Sequence, residues 1–323
     1  MSTSNQYLSA VGIVLLGGGL VLFLLPFELA GSEEGQWQSA KIICMLVFGI
    51  ILLVMFCLNE RFWAPKPFLP YRLLLSRTVI GTCLLTATYQ VAYYCWGSYF
   101  TSYLQVVHQV SISQAGYISS AYDVTAGVWD FAVGILISKS GRFKWLLMGA
   151  VPLMILGMGL MIQFRQPGVS LVLVVMCQVF IALAGGTITI VAQVSVLATA
   201  AHENVAALLA LLGLFGYIGG AIGNSVSGAI WTHTLPQALE RLLPADAIAA
   251  DPTLVATIYE DLTAQLSYEF GTPERTAIID AYSIAQKRML IAGTSFMALG
   301  LLWVLVIRNI RVDKIKQTKG TVF

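Results

Sequence analysis

Apolar runs of about twenty residues, the length needed to cross a bilayer core, recur along this chain and divide it into about eight predicted membrane helices. They fall at Leu8–Ala30, Ser39–Leu58, Val79–Phe100, the helix running through Asp123 toward Lys144, Trp145–Phe164, Leu171–Leu197, Val205–Trp231 and Met289–Ile307. The links between them differ in character. The link 59–78 holds Arg61, Lys66, Arg72 and Arg77 with three prolines, which rules out one continuous helix there and predicts a cytoplasmic connector. The stretch 233–288 is long, polar and acidic. It is predicted to be an external loop carrying short surface helices, because Pro252–Leu266 is amphipathic. The expected organisation is a helix pair at 1–58, the connector at 59–78, six spans with the long external loop within 79–308, and a cytoplasmic basic tail at 309–323.

Composition agrees with that pattern and narrows the class. The chain is 58% hydrophobic and 11% charged with mean hydropathy +0.80, against about 25% charged residues in a soluble domain. The fold class is therefore all-α, a polytopic membrane protein. Short links on the assigned inner side, with the tail, carry twelve Lys/Arg (four, three and five), whereas the short outer links carry only Lys41 and Arg165. These basic residues are scattered, so the net charge of +2 gives no nucleic-acid surface. The five cysteines lie in or beside apolar runs without ligand spacing and read as small core hydrophobes. The first apolar run reaches Pro26-Phe27-Glu28 without a small-residue cleavage site, so no cleavable signal peptide is expected. No nucleophile, metal or nucleotide motif is evident, so neither an enzyme nor a cofactor is expected.

Four features carry candidate chemistry. Asp123, Gly127, Asp130 and Gly134 fall at i, i+4, i+7 and i+11, so two acids and two glycines share one helix face, which is expected to point into a bundle. An ionised carboxylate at lipid depth costs roughly 2.5–3.5 kcal/mol, so each acid needs a partner, water or a proton. Asp130 is the first candidate for proton coupling and Asp123 the second; a charge pair from Asp130 to Arg142 or Arg77 is the structural alternative. The aromatic stripe Tyr89, Tyr93, Trp96, Phe100 and Tyr103 serves either helix packing or a cavity for a bulky, partly polar ligand. Gln178, Ala182, Gly186, Thr189 and Gln193 share a second face, made for interhelical hydrogen bonds or for lining a cavity. In GLFGYIGGAIGNSVSG, glycines recur four apart, the spacing that lets two helix backbones approach. His108, in an outer link, reads as a surface histidine.

The turn Gly134-Ile-Leu-Ile-Ser-Lys-Ser-Gly141-Arg142-Phe-Lys144 resembles the basic loop motif of the major facilitator superfamily, which joins the second and third helices of each six-helix half. It departs from the motif at Ser138, where the family usually has Asp, and at Lys139, where it usually has Arg. The runs SYFTSYLQVV, GRFKWLL, GLMIQFRQPG, the glycine-rich seventh span, AYSIAQKRMLIAGT and the basic tail resemble the carboxy-terminal part of fungal siderophore-iron transporters of that superfamily. The resemblance implies fourteen helices in the whole protein, of which this chain holds a central pair and one six-helix half. It further implies proton-linked uptake of a ferric hydroxamate-type chelate. The implied partners are the ferric siderophore, protons, the lipid bilayer, and either the missing amino-terminal half or another membrane subunit. Such a chelate keeps its iron in its own ligand shell, so no protein metal cage is needed. By resemblance Tyr268 and Tyr282 are expected chelate contacts in the external loop; Tyr93, Trp96, Gln178 and Gln193, from the two helix faces read above, are the substrate-binding candidates in the cavity. Gly134, Gly141, Arg142 and Lys144 are the expected conformational loop. A drug or metabolite exporter of the same superfamily, or a non-transporting truncated membrane component, are the alternatives. The expected membrane is the plasma membrane or that of an internal vesicle.

Overall fold

A computed structural model describes residues 10–29, 36–62, 75–199 and 204–312. Its regular structure is helical apart from one isolated bridge between Arg142 and Arg311. The helices are α1 (Ala10–Leu29), α2 (Ala40–Phe62), α3 (Arg77–Gly97), α4 (Phe100–His108), α5 (Ile112–Ser140), α6 (Lys144–Phe164), α7 (Leu171–Leu197), α8 (Val205–Leu242), α9 (Ala245–Ala250), α10 (Leu254–Glu260), α11 (Leu262–Ser267) and α12 (Pro273–Val306). The long ones, α1, α2, α3, α5, α6, α7, α8 and α12, occupy the eight predicted spans. Six of them, α2, α5, α6, α7, α8 and α12, are long and apolar enough to cross a membrane. The third span is the most polar of the set because its surroundings are protein: Thr78, Thr82 and Thr88 of α3 are all buried. Most of the predicted connector (63–74) and the tail from 313 lie outside the described residues.

Two boundaries differ from expectation. Helix α8 continues past Trp231 to Leu242, and α12 begins at Pro273, so the segment between them is 243–272 and not 233–288. Local chemistry sets both ends. Leu243 is extended, as the residue before Pro244 must be. Thr272 caps α12 by accepting from the Arg275 amide, with Pro273 at the first helical position. At 1.5 Å per residue α8 is about 57 Å long, well beyond a hydrocarbon core of about 30 Å. Its outer turns and those of α12 thus rise out of the membrane region and carry α9 to α11.

Helix α3 lies at the centre, packed on α7, α8 and α12. Its contact with α8 is backbone against backbone: a Cβ added at Gly223 would lie 2.7 Å from the Val91 carbonyl oxygen, and one at Gly219 would collide with the Ala87 carbonyl. The small-residue spacing in the sequence therefore serves the α3–α8 crossing. The α1–α2 pair docks on α8, where the Ser225 hydroxyl donates to the Phe27 carbonyl at 3.0 Å. Of the cysteines, Cys83, Cys95 and Cys177 are buried as expected, but Cys44 and Cys57 are exposed on α2, whose outward face has no protein against it.

At the inner end the basic loop is tied to the end of α12. Gly141 takes the left-handed conformation (φ 63°) and closes α5 through its amide to the Ile137 carbonyl. The Lys144 ammonium donates to the carbonyls of Ile307 (2.6 Å) and Leu305 (3.2 Å), and the Val312 amide donates to Gly141 at 2.9 Å. Lys144 thus satisfies the carbonyls left open at a helix C-terminus and complements its dipole.

Candidate functional site

A cleft of about 460 Å³ opens between α3, α7 and α8. Its polar lining comes from Thr86, Tyr89 and Gln90 of α3, Thr189 and Gln193 of α7, and Tyr217 of α8; aliphatic residues and glycines complete it. Gly213 and Gly216 thin the α8 wall, and Tyr217 stands 76% exposed at the rim. The α7 and α8 residues come from the ends nearest the α7–α8 turn, so the cleft lies toward the end of the bundle that the charge bias places inside.

Behind the cleft is a buried polar layer. The hydroxyls of Tyr89 and Tyr122 share a hydrogen bond at 2.5 Å. Both abut Gly185, where any added Cβ would strike them. The next residue, Gly186, makes the same room for Asp130: an added Cβ would lie 2.6 Å from Asp130 Oδ1. That oxygen is buried and has no hydrogen-bond partner, and no ion pair joins Asp130 to Arg77 or Arg142. Consecutive glycines on α7 thus seat a tyrosine pair and a carboxylate side by side. Trp129 donates to Thr187 at 2.9 Å and holds α5 on α7 next to them.

The expected face of α5 is only partly turned inward. Helix α5 packs through Ala115, Tyr122, Val133 and Ile137, which leaves Asp123 exposed and Gly127 and Gly134 with nothing within 4 Å. Only Asp130, at the edge of that face, meets another helix. The α7 face is likewise divided. Gln193 and Thr189 line the cleft and Gly186 meets Asp130, whereas Ala182 and Gln178 are buried. Gln178 is 1% exposed, and neither amide atom has a partner.

Apart from Tyr89, which also lines the cleft, the aromatic stripe is core. Tyr93 packs edge-on against Trp96 (5.5 Å between ring centres) and leans on Tyr122 (5.0 Å), and Trp96 packs on Phe100 (5.7 Å). Trp96 is 2% exposed, so it is a packing residue here and not a free contact surface. Tyr282 is placed in the same way. It is buried, its ring sits edge-on to Trp231 at 4.9 Å, and its hydroxyl donates to Gln265 at 2.6 Å. That hydroxyl ties α12 to α11 and is not offered outward. Tyr268, at the end of α11, is half-buried against the core.

Two buried arginines at the outer end had no signal in the sequence. Arg275 donates to the carbonyls of Gln265 and Val106, bracing α11 and α4 against α12. Arg165, in the α6–α7 turn, is fully buried and donates to the Trp96 carbonyl at 3.1 Å, where α3 breaks before α4. Its guanidinium also lies over Phe100 (4.5 Å) and Tyr103 (4.7 Å). Burial lowers the Arg165 pKa to about 9 and raises that of Tyr103 to about 12. His108, expected at the surface, is half-buried beside this pair; burial, and then the Arg165 charge, lower its pKa. The sequence offered only a basic residue in a short outer link, and its burial depends on α4 folding over it.

No family model matches the chain. It is 58% identical over 313 residues to the MFS siderochrome iron transporter D of Aspergillus fumigatus, covering 97% of this chain and 52% of that protein. It is 49% identical to the siderophore iron transporter mirB of Emericella nidulans, covering 97% of this chain and 51% of that one. A solved structure of a bacterial homologue of the human lysosomal transporter Spinster, inward-facing and occupied, superposes with a TM-score of 0.54 at 16% identity. That superposition covers 94% of this chain and 69% of the homologue, and it shows a shared fold. The chain spans about half the length of the curated relatives it matches. It is a multi-pass membrane protein, and over nearly its whole length it is similar to about half of the length of siderophore-iron transporters of the major facilitator superfamily.

Proposed function

We propose that this chain acts as the carboxy-terminal half of a proton-linked siderophore-iron transporter, and that the α3–α7–α8 cleft is its share of the path for a ferric hydroxamate-type chelate. The observation that carries the reading is the 58% identity to a siderochrome iron transporter across nearly the whole chain. The cleft fits the cargo in kind. A caged ferric ion asks for flat apolar area, amides and hydroxyls around its ligand shell, and Tyr89, Tyr217, Gln90, Gln193 and Thr189 supply these. Among the described residues no group of three or more His, Cys, Asp or Glu could hold a bare ion. Transporters of this architecture bind substrate near the midplane between two repeats, so a partial wall is what one half provides. The chain is read as transport machinery and not as an enzyme.

Asp130 is the proposed proton carrier, with Asp123 second. A carboxylate with one buried, unpartnered oxygen is stabilised by taking up a proton, and the Tyr89–Tyr122 pair beside it reaches the cleft wall. Protonation would then couple to the fit between α5 and α7.

The first measurement is the mass of the native protein in membranes of iron-starved cells, read with an antibody against residues 313–323. A band about twice 35.0 kDa supports the half-transporter reading, because a fourteen-helix chain has that size; a band at 35.0 kDa counts against it. Radio-iron uptake by the whole transporter then tests the cleft: Gln193→Leu should raise KM with little change in kcat. Asp130→Asn should abolish the pH dependence of uptake; retained pH dependence removes Asp130 from the coupling role.

A further inference from the structure

The inner end of the bundle gathers positive charge at the surface. The Val312 amide donates to the Gly141 carbonyl at 2.9 Å, and the isolated antiparallel bridge beside that bond sets Arg142 directly opposite Arg311. Two guanidinium groups from distant parts of the chain thus share one face, and like charges directly opposite are destabilising. Lys139 and Arg308 flank the pair in sequence, and all four side chains are exposed. Neither 138–145 nor 305–312 contains an acid; Asp313, the acid next in sequence, lies outside the described residues. Lys144 is not part of the surplus, because its ammonium already donates to the Leu305 and Ile307 carbonyls. The start of α6 adds to the demand for an anion. Its cap residue, Phe143, is buried and makes no side-chain cap bond, and its first turn holds no acid. Open amides and the positive end of a helix dipole favour negative charge there.

We propose that the exposed Arg142–Arg311 face binds the phosphate headgroup of an anionic phospholipid. Depth chooses a lipid over a soluble phosphate: α5 and α6 are both long and apolar enough to cross a membrane, so the turn joining them lies at headgroup level. Trp145 supports the same choice. It is 47% exposed, and its indole N–H is tied back to the Arg142 carbonyl at 2.9 Å and to the Ser140 hydroxyl at 3.2 Å, the posture of an interfacial belt residue. Along the same helix and the end of α12, Met148, Leu302 and Leu305 expose apolar side chains suited to acyl chains. Guanidinium groups grip phosphate oxygens with paired bonds. The headgroup would relieve the repulsion between Arg142 and Arg311 and so strengthen the joint between the basic turn and the end of α12. This inference does not depend on the identity of the transported substrate.

The test uses the intact protein in phosphatidylcholine nanodiscs carrying a small fraction of brominated phosphatidylserine or, in parallel, the same fraction of brominated phosphatidylcholine. Quenching of Trp145 is read as the difference from Trp145→Phe. The expected result is stronger quenching by the brominated anionic lipid, with a preference that falls roughly fivefold for each arginine removed, in Arg311→Gln and again in Arg142→Gln/Arg311→Gln. Arg241→Gln, which removes an exposed positive charge at the far end of α8, should keep the preference. Should the double variant not fold, Arg311→Gln carries the test alone. Equal quenching by the two lipids would overturn the inference, and so would a preference that the arginine variants retain or that Arg241→Gln loses equally. Loss of the preference on adding inorganic phosphate at constant ionic strength would also overturn it, by assigning the face to a soluble anion.

Discussion

The α3–α8 crossing gives the most quantitative prediction. A Cβ at Gly223 would sit 2.7 Å from the Val91 carbonyl oxygen and 2.9 Å from the Tyr94 Cβ, and one at Gly219 would collide with the Ala87 backbone. Ordinary contact begins near 3.4 Å, so the helices would have to separate by about 0.7 Å (3.4 − 2.7), and backbone atoms on both sides leave no flexible side chain to yield. Overpacking of this kind costs about 1–3 kcal/mol per site. Gly213 and Gly228 lie on the same helix with nothing within 4 Å. Replacing either pair with alanine gains the same helix propensity, about 0.8–1.0 kcal/mol per residue. The double variant Gly219→Ala/Gly223→Ala should therefore be less stable than Gly213→Ala/Gly228→Ala by about 2–6 kcal/mol, the packing contribution alone. Reversible unfolding in mixed micelles, followed by tryptophan fluorescence, reads the difference. Equal stabilities for the two pairs would refute the close crossing and with it the placement of the cleft between α3 and α8.

Two further outcomes follow from the buried polar groups. Tyr89→Phe strands the Tyr122 hydroxyl, whose partner is Tyr89, at a cost of about 1–3 kcal/mol. Tyr89→Phe/Tyr122→Phe should cost less than the sum of the single changes in a double-mutant cycle, and strict additivity would show that the pair does not form. His108 has its pKa lowered below 6.5 in the fold, so below that pH the unfolded chain takes up a proton that the folded chain refuses. Stability is accordingly full above pH 6.5 and declines as pH falls toward the folded value. His108→Gln should flatten the midpoint between pH 6.5 and 5; an unchanged slope would remove His108 from the buried site.

Helix positions and the glycine crossing were legible in the sequence because each follows from a local rule. A span must be long and apolar, and two close helices must carry small residues where they touch. Gly141 and Lys144 were legible as a loop, but the partner of Lys144, the end of α12, was not, since nothing local to Lys144 encodes a carbonyl 163 residues away. The acid-bearing face of α5 was legible as a face and misjudged in direction. Periodicity gives the angle between side chains and not the zero of that angle, which packing on α7 through Tyr122 and Val133 sets. Tyr282 and Trp96 show the same limit: an aromatic ring in a helix bundle is equally suited to core or cleft, and only its neighbours decide.

One physical rule accounts for where many of the polar residues sit, the buried and unpartnered Gln178 amide excepted. Polar side chains at membrane depth must be hydrogen-bonded, hydrated or neutralised. Thr82 with Ser195 (2.8 Å) and Trp129 with Thr187 (2.9 Å) meet the demand within the bundle. Gln193, Tyr217 and Asp123, on α7, α8 and α5, meet it by remaining open. Tyr89 belongs to both sets, bonded to Tyr122 on one side and lining the cleft on the other. In the function proposed above, a ligand pressing on the cleft wall would act on the same hydroxyl pair that abuts Gly185, one residue from the seat of Asp130. That adjacency would give substrate and proton a common structural element, the fit of α5 against α7, through which each could bias the other.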